Sequence, residues 1–362
     1  MRLAMGRIDV LNPYKELGKK LDTAAMKRAC EKWDAVAKPL HGLGKLEDCI
    51  VKIAGIQGTE NIRLQKRAVL VFCGDNGITA QGVTQTDSSV TAMVADNIAE
   101  GRASINKMCS RCNTDVIAVD MGILKETHSE KLLNYKIRRG TRDFTVSPAM
   151  TMQETLQAID TGIALVKELK DKGYALLATG EMGIGNTTTA SAVAAALLSL
   201  AAEQTVGRGA GLDDTGLSRK RTVVSLAIAN YHLYERTPLE VLSCVGGFDI
   251  AGMAGAFIGG SIYGVPVIID GMISAVAALV AYRLCGKALN SMLASHLSRE
   301  PVSGAVMREL LLEPLLDAGL ALGEGTGAAL LFPLLDMAEN VYRNEETFQK
   351  MQLKPYEKFG EQ

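Results

Sequence analysis

The chain has 362 residues, enough for one large α/β domain or two of medium size. Hydrophobic residues make up 48% and charged residues 22%, which excludes a disordered or fibrous class. A formal net charge of −1 supplies no bulk positive field for a nucleic acid or an anionic membrane surface, so neither is expected as a partner.

Seven cysteines (Cys30, Cys49, Cys73, Cys109, Cys112, Cys244 and Cys285) lie scattered, unlike a secreted disulfide framework, and reduced thiols in a cytoplasmic protein are expected. Cys109 and Cys112 form a Cys-x-x-Cys pair, but no second pair or nearby His completes a tetrahedral metal site, so they read as buried thiols. No metal or other cofactor is expected. Met1 to Leu17 carries charges and Pro13 instead of an apolar run, so no signal peptide is expected. The best apolar run, Thr189 to Ala202, is too short and Ala-rich for a membrane span.

Along the chain, residues 14–37 read as an amphipathic helix ended by Pro39, and 44–56 as a second. Short apolar runs then stop at glycine and an acid: Val69–Cys73 at Gly74-Asp75, Val116–Val119 at Asp120-Met-Gly122, Ala175–Ala178 at Thr179-Gly-Glu181 and Val265–Ile269 at Asp270-Gly271. Leu242–Val245, before Gly246-Gly-Phe-Asp249, is a shorter candidate strand. Helical patterns over 87–109, 152–171, 187–202, 217–230 and 248–262 alternate with these runs, which predicts an α/β fold with a mostly parallel sheet. Such a sheet binds ligands beyond the carboxyl ends of its strands, where the acid-and-glycine corners collect on one rim. A turn and a helix cap explain any single corner; their recurrence points to a site. Residues 302–322 read as a helix with an internal Pro314, followed by a glycine-rich break and a further helix from Ala328.

Gly180-Glu-Met-Gly-Ile-Gly-Asn-Thr-Thr-Thr189 joins a predicted strand to a predicted helix and reads as an anion cradle, with Gly183, Asn186 and Thr187 as candidate substrate-binding residues; an N-capped helix behind a glycine turn explains the threonines but not Glu181. It lacks the Lys-Ser/Thr of a nucleoside-triphosphate loop and the spacing of the dinucleotide fingerprint. Val206-Gly207-Arg-Gly-Ala-Gly211 with Arg219-Lys220 beyond it suits a phosphate monoester, although a surface turn explains that segment equally well. Ser295-His-Leu-Ser298 adds hydroxyl and basic donors, and His296 has no partners that make a triad. In Leu322-Gly-Glu-Gly-Thr-Gly327 one carboxylate sits among small residues; shut from water, Glu324 would have the raised pKa a general base needs.

Together the stretches Gly180–Thr188, Val245–Ala251, Asp270–Ser274, Ser295–Ser298 and Leu322–Ala329 resemble, in order, those of the nicotinate-nucleotide-dimethylbenzimidazole phosphoribosyltransferases, over about Lys38 to Asn340. The resemblance implies a Rossmann-like large domain, over 60–295, and a small helical domain from both chain ends, 1–59 plus 296–362. It implies a homodimer whose partner helps close each site, with a heterodimer of unlike subunits, as in phenol-using relatives, as the alternative. It further implies that Glu324 is the general base, that Glu181 is a second active-site acid, that Gly183, Lys220 and Ser298 surround the donor phosphate, and that Asp75 and Asp270 line the cleft. The implied substrates are nicotinate mononucleotide and an aromatic base or phenol. Lys38-Pro-Leu-His-Gly-Leu-Gly44 and Asp75-Asn-Gly77 depart from the family's Lys-Pro-Pro-Gly-Ser-Leu-Gly and Asp-His-Gly, which makes the acceptor open among benzimidazoles, purines and phenols. Two other readings stand beside this one: a dinucleotide-dependent oxidoreductase, which lacks its fingerprint, and a non-catalytic or partner-dependent subunit.

Overall fold

The computed structural model describes residues 12–357; most of Met1–Leu17, for which no signal peptide was expected, lies outside them. Six strands, β1 (Arg67–Gly74), β2 (Asp115–Gly122), β3 (Leu133–Asn134), β4 (Leu176–Met182), β5 (Val267–Ile269) and β6 (Met292–Ala294), form one sheet in the order β3-β2-β1-β4-β5-β6, with every pair parallel. The chain builds outward from β1 to β3, then returns to lay β4 on the other flank of β1. That reversal is a topological switch point, and it opens a crevice beyond the carboxyl ends of β1 and β4.

The helices, in chain order, are α1 (Thr23–Ala35), α2 (Lys45–Gln57), α3 (Ser89–Ala99), α4 (Ser104–Cys109), α5 (Met152–Asp171), α6 (Asn186–Leu198) and α7 (Ala202–Thr205). There follow α8 (Asp214–Tyr231), α9 (Pro238–Val245), α10 (Phe248–Tyr263), α11 (Met272–Leu284), α12 (Ser303–Glu309), α13 (Thr326–Ala329) and α14 (Leu331–Asn344). Side chains on a strand alternate between faces, and β1 shows it: Leu70 and Phe72 join a core with α5, α6, α10 and α11, while Val69, Val71 and Cys73 join one with α1, α2, α3 and α14. A sheet buried on both faces needs apolar residues at consecutive positions, which is why its strands read as unbroken apolar runs. The segments around α1 and α14 meet on the second face, where the Trp33 and Tyr342 rings lie 5.0 Å apart and Ala37 N–H donates to the Glu346 carbonyl (2.9 Å). No helix of the described residues is long and apolar enough to cross a membrane.

Several predicted elements are corrected. The helix expected over 14–37 spans Thr23–Ala35: Tyr14–Leu17 make a turn, Gly18 lies at φ 84°, and Asp22 caps α1 through the Ala25 N–H. The expected 87–109 helix is two helices, parted at Gly101 (φ 78°), and the 187–202 helix ends at Ser199 (φ 53°). Leu242–Val245 is helical, the end of α9, because Thr237 and Glu240 form a capping box around Pro238 at the first helical position. Only Ser303–Glu309 of the expected 302–322 helix forms. Pro314 has no N–H for a helix, and the chain there runs alongside 295–299, where the Leu316 and Leu320 carbonyls accept from the N–H groups of Leu297 (2.8 Å) and Arg299 (3.1 Å).

Candidate active site

The rim forms as the corners predict. Asp75 follows β1, Asp120 lies two residues before the end of β2, Glu181 is the penultimate residue of β4, and Asp270 follows β5. Asp75 is buried; its Oδ1 accepts from Thr91 Oγ1 (2.6 Å) and its Oδ2 from the Leu124 N–H (2.8 Å). Thr91 Oγ1 in turn accepts from the Ile184 N–H (3.1 Å), so Asp75 braces the 183–185 turn from behind and does not itself line the cleft. Burial raises the Asp75 carboxyl above its ordinary range, against the pull of those hydrogen bonds.

Glu181 lines the cleft and is buried. Asn186, the first residue of α6, donates from Nδ2 to Glu181 Oε2 and also to Asp249 Oδ2 (3.1 Å). Burial first, then the Asp249 charge, pushes Glu181 up to about 8, while burial pushes Asp249 up to about 6. Asp249 is a site residue the sequence reading did not single out. Its signal was present, an acid in the first turn of a helix behind Gly246-Gly247, but that acid reaches the rim from a helix and not from a strand end.

Glu324 stands at φ 61° between Gly323 (φ 86°) and Gly325 (φ 88°). A left-handed conformation at a glutamate is strained by about 1–3 kcal/mol and must be held by its surroundings. Asp270 holds it: its carboxylate accepts from the N–H groups of Gly325 (3.1 Å) and Ala328 (3.0 Å), while Thr326 Oγ1 donates to the Gly323 carbonyl (2.7 Å). Gly180 of β4 lets this loop lie directly on the sheet, since a Cβ there would stand 2.6 Å from the Glu324 carbonyl oxygen. The Glu324 side chain is half-buried, and Oε2 accepts from the Ile105 N–H at the start of α4 (3.3 Å). Burial raises its pKa; the Ile105 bond opposes this and the Asp270 charge adds to it. A partly desolvated carboxylate with one long hydrogen bond is suited to accept a proton.

Of the predicted residues, Glu181, Gly183, Asn186, Thr187, Asp270, Ser298 and Glu324 line one cleft at the switch point; Asp75, Gly207 and Lys220 stand behind its wall. Lys220, read as a cation beyond a surface loop, is 0% exposed. Its Nζ donates to Thr187 Oγ1 (2.8 Å) and to the Gly207 carbonyl (3.2 Å), and burial lowers its pKa to about 8 against the attraction of Glu300. A hydroxyl that accepts from an ammonium keeps its own proton to donate, so Lys220 primes Thr187, at the start of α6, for an anion in the cleft. His296 is buried, with Nδ1 3.1 Å from Ser295 Oγ, and burial lowers its pKa, so it sits in the cleft floor as a neutral ring.

Neither sequence departure enters the cleft. His41 lies on an exposed turn 3.8 Å from Asp48, and buried Asn76 accepts from Thr189 Oγ1 (3.2 Å) while its Nδ2 turns back to the Gly74 carbonyl (3.4 Å). Among the described residues no group of three or more His, Cys, Asp or Glu side chains is arranged to hold a metal ion.

A family described as phosphoribosyltransferase matches residues 19–353. A nicotinate-nucleotide-dimethylbenzimidazole phosphoribosyltransferase of Acetivibrio thermocellus is 45% identical over 324 residues, covering 90% of this chain and 92% of that one. One of the same name from Clostridium acetobutylicum is 43% identical over 336 residues, covering 93% and 96%. The crystal structure of nicotinate-nucleotide-dimethylbenzimidazole phosphoribosyltransferase from Thermus thermophilus superposes with a TM-score of 0.86 at 37% identity, covering 92% of this chain and 99% of that one. Together with the parallel sheet, the cradle and the paired glutamates, these likenesses place the chain in the nicotinate-nucleotide-dimethylbenzimidazole phosphoribosyltransferase family.

Proposed function

We propose that the chain transfers the phosphoribosyl group of nicotinate mononucleotide to dimethylbenzimidazole, giving an α-linked ribotide for the lower ligand of cobamides and releasing nicotinate. The observation that carries this reading is Glu324, a half-buried carboxylate held in strained backbone beside Glu181, in one cleft with the Gly183–Thr187 cradle. Its relatives' names supply the substrates.

The donor is already activated. As the bond from the ribose carbon to the pyridinium nitrogen breaks, its electron pair returns to the ring, which leaves as nicotinate with a neutral ring. One ring nitrogen of the acceptor attacks that carbon from the opposite face, turning a β-linked donor into an α-linked product, while the proton on its other ring nitrogen passes to Glu324. The protein's tasks are to grip the phosphate, align the two rings and take one proton. In this scheme Gly183, Thr187 and Ser298 face the phosphate, with Lys220 and Gly207 behind them.

Dimethylbenzimidazole, and not a purine or a phenol, is the acceptor that the relatives' names support. The large domain is assigned to 60–295 and the small one to 1–59 plus 296–362, and a second copy of the chain is assigned to the cleft mouth, where Leu322 is 57% exposed. Chromatography of reactions offered dimethylbenzimidazole, adenine and phenol together tests the acceptor: the dimethylbenzimidazole ribotide is expected to dominate, and a dominant adenine or phenol product would replace that assignment.

Lys220→Met, which keeps the buried stem and removes the charge, is expected to raise KM for nicotinate mononucleotide about tenfold or more with a much smaller change in kcat, as for a charge-assisted hydrogen bond used in binding. Steady-state kinetics at saturating acceptor check it; an unchanged KM would remove Lys220 from the donor site.

A further inference from the structure

The chemistry above leaves Asp249 without a task, although it is fully buried in the wall beside Glu181. Its Oδ1 accepts from the Ile250 N–H (2.9 Å) and its Oδ2 from Asn186 Nδ2 (3.1 Å). The same Nδ2 donates its second hydrogen to Glu181 Oε2, so a single amide fastens two carboxyl groups and has no hydrogen left over. On its other side Glu181 is fenced by the catalytic loop: a Cβ added to Gly323 would stand 2.5 Å from Glu181 Oε1. Glu181 is therefore pinned at one oxygen, with the other turned to the loop that carries Glu324.

The titratable groups acting on Glu181 come from four elements: Asp249 from α10, Asp270 beyond β5, Glu324 from the glycine loop and the Cys73 thiol of β1. None carries positive charge. Two carboxyl groups that share one donor in a buried wall, with more acids around them, cannot both ionise cheaply. Asp249 has both oxygens occupied by N–H donors, which suits the ionised form; Glu181 has one such donor and one oxygen free to carry a proton.

We propose that Asn186 and Asp249 are positioning residues for Glu181, holding it in the cleft wall as a neutral hydrogen-bond donor to the substrate beside the ionised base Glu324. The proposal rests on the reading of the cleft as a phosphoribosyl-transfer site. The donor brings a phosphate and a ring carboxylate into a cleft already lined by Asp270 and Glu324. A neutral Glu181 removes one repulsive charge there and offers an O–H to a substrate oxygen. Burial and the Asp249 charge, which push Glu181 up to about 8 while Asp249 reaches only about 6, agree with that division near neutral pH.

The test is an NMR titration of the full unliganded chain with glutamates labelled at the side-chain carboxyl carbon, with Glu181→Gln identifying the resonance. Glu181 is expected to titrate near pH 8 in the wild type. Asp249→Asn, which keeps the shape and removes the charge, is expected to move that titration down by about 1 on the pH scale. Asn186→Ser removes the shared donor without adding charge, moves it the opposite way, and serves if Asp249→Asn does not fold. Glu181 titrating in the ordinary carboxylate range, or at the same pH in all folded variants, overturns the proposal. Measured alongside, the high-pH limb of kcat/KM for nicotinate release is expected to follow the same displacement in Asp249→Asn, whereas a purely structural role would lower the rate equally at every pH and overturns it. Nicotinate release absent from the wild type, with the titration as expected, removes the functional reading and leaves the placing of Glu181 by Asn186 and Asp249 supported.

Discussion

Glu324→Gln is expected to lower kcat for nicotinate release by about 10²–10⁴-fold, the range for loss of a general base, with little change in KM for the donor. Glutamine keeps the length of the side chain and an oxygen to accept from the Ile105 N–H, so the loop retains its anchors at Asp270 and Thr326. Only proton acceptance is removed. The loss should shrink for acceptors presented already deprotonated, which separates a proton-transfer role from a steric one. A Gln variant within about threefold of the wild type would remove Glu324 from the chemistry.

Arg67→Met is expected to cause the largest loss of stability among single substitutions at ion pairs of this fold, about 3 kcal/mol. Arg67 opens β1, is buried, and makes a bidentate pair with Asp336 of α14 at 2.6 and 2.7 Å. Its Nε donates to Thr114 Oγ1 (3.0 Å), and its guanidinium lies 5.0 Å from the centre of the Phe332 ring. Methionine fills the stem's volume and leaves Asp336 and Thr114 without their donor. The Asp336 side chain keeps 35% of its exposure, which sets the effect at the lower end of the range for a broken buried pair. Urea unfolding with an unchanged slope and a lowered midpoint checks this. A change below about 0.5 kcal/mol, the scale of ordinary surface substitutions, would show that the first strand and the C-terminal helix are not coupled through this pair.

How much of this was legible in the chain follows from where each signal resides. β1, β2, β4 and β5 were readable because strands buried in the sheet leave apolar runs, and their Gly-acid ends marked the rim on which Asp75, Asp120, Glu181 and Asp270 stand. β3 and β6 have only two and three residues, and no Gly-acid corner follows either one to mark it, as Asp270-Gly271 marks the equally short β5. Leu242–Val245 misled because its apolar character was weighed without Thr237, Pro238 and Glu240, whose capping chemistry starts the helix. Beyond the elements, local sequence is silent about partners far away in the chain. The Glu324 carboxylate meets the Ile105 N–H across 219 positions, and Asn186 meets Asp249 across 63. Lys220 was read as a phosphate partner beyond a loop, but its burial was not legible, because burial is decided by the elements packed over it, and here those place its ammonium beneath Thr187.

Phosphoribosyl transfer by this chain is tested most directly by incubating the purified protein with nicotinate mononucleotide, with and without dimethylbenzimidazole, and measuring nicotinate together with the anomeric configuration of the new ribotide. The expected result is nicotinate released only when the base is present, in equal amount to an α-linked dimethylbenzimidazole ribotide. Release without the base, a β-linked product, or no release under either condition would contradict it.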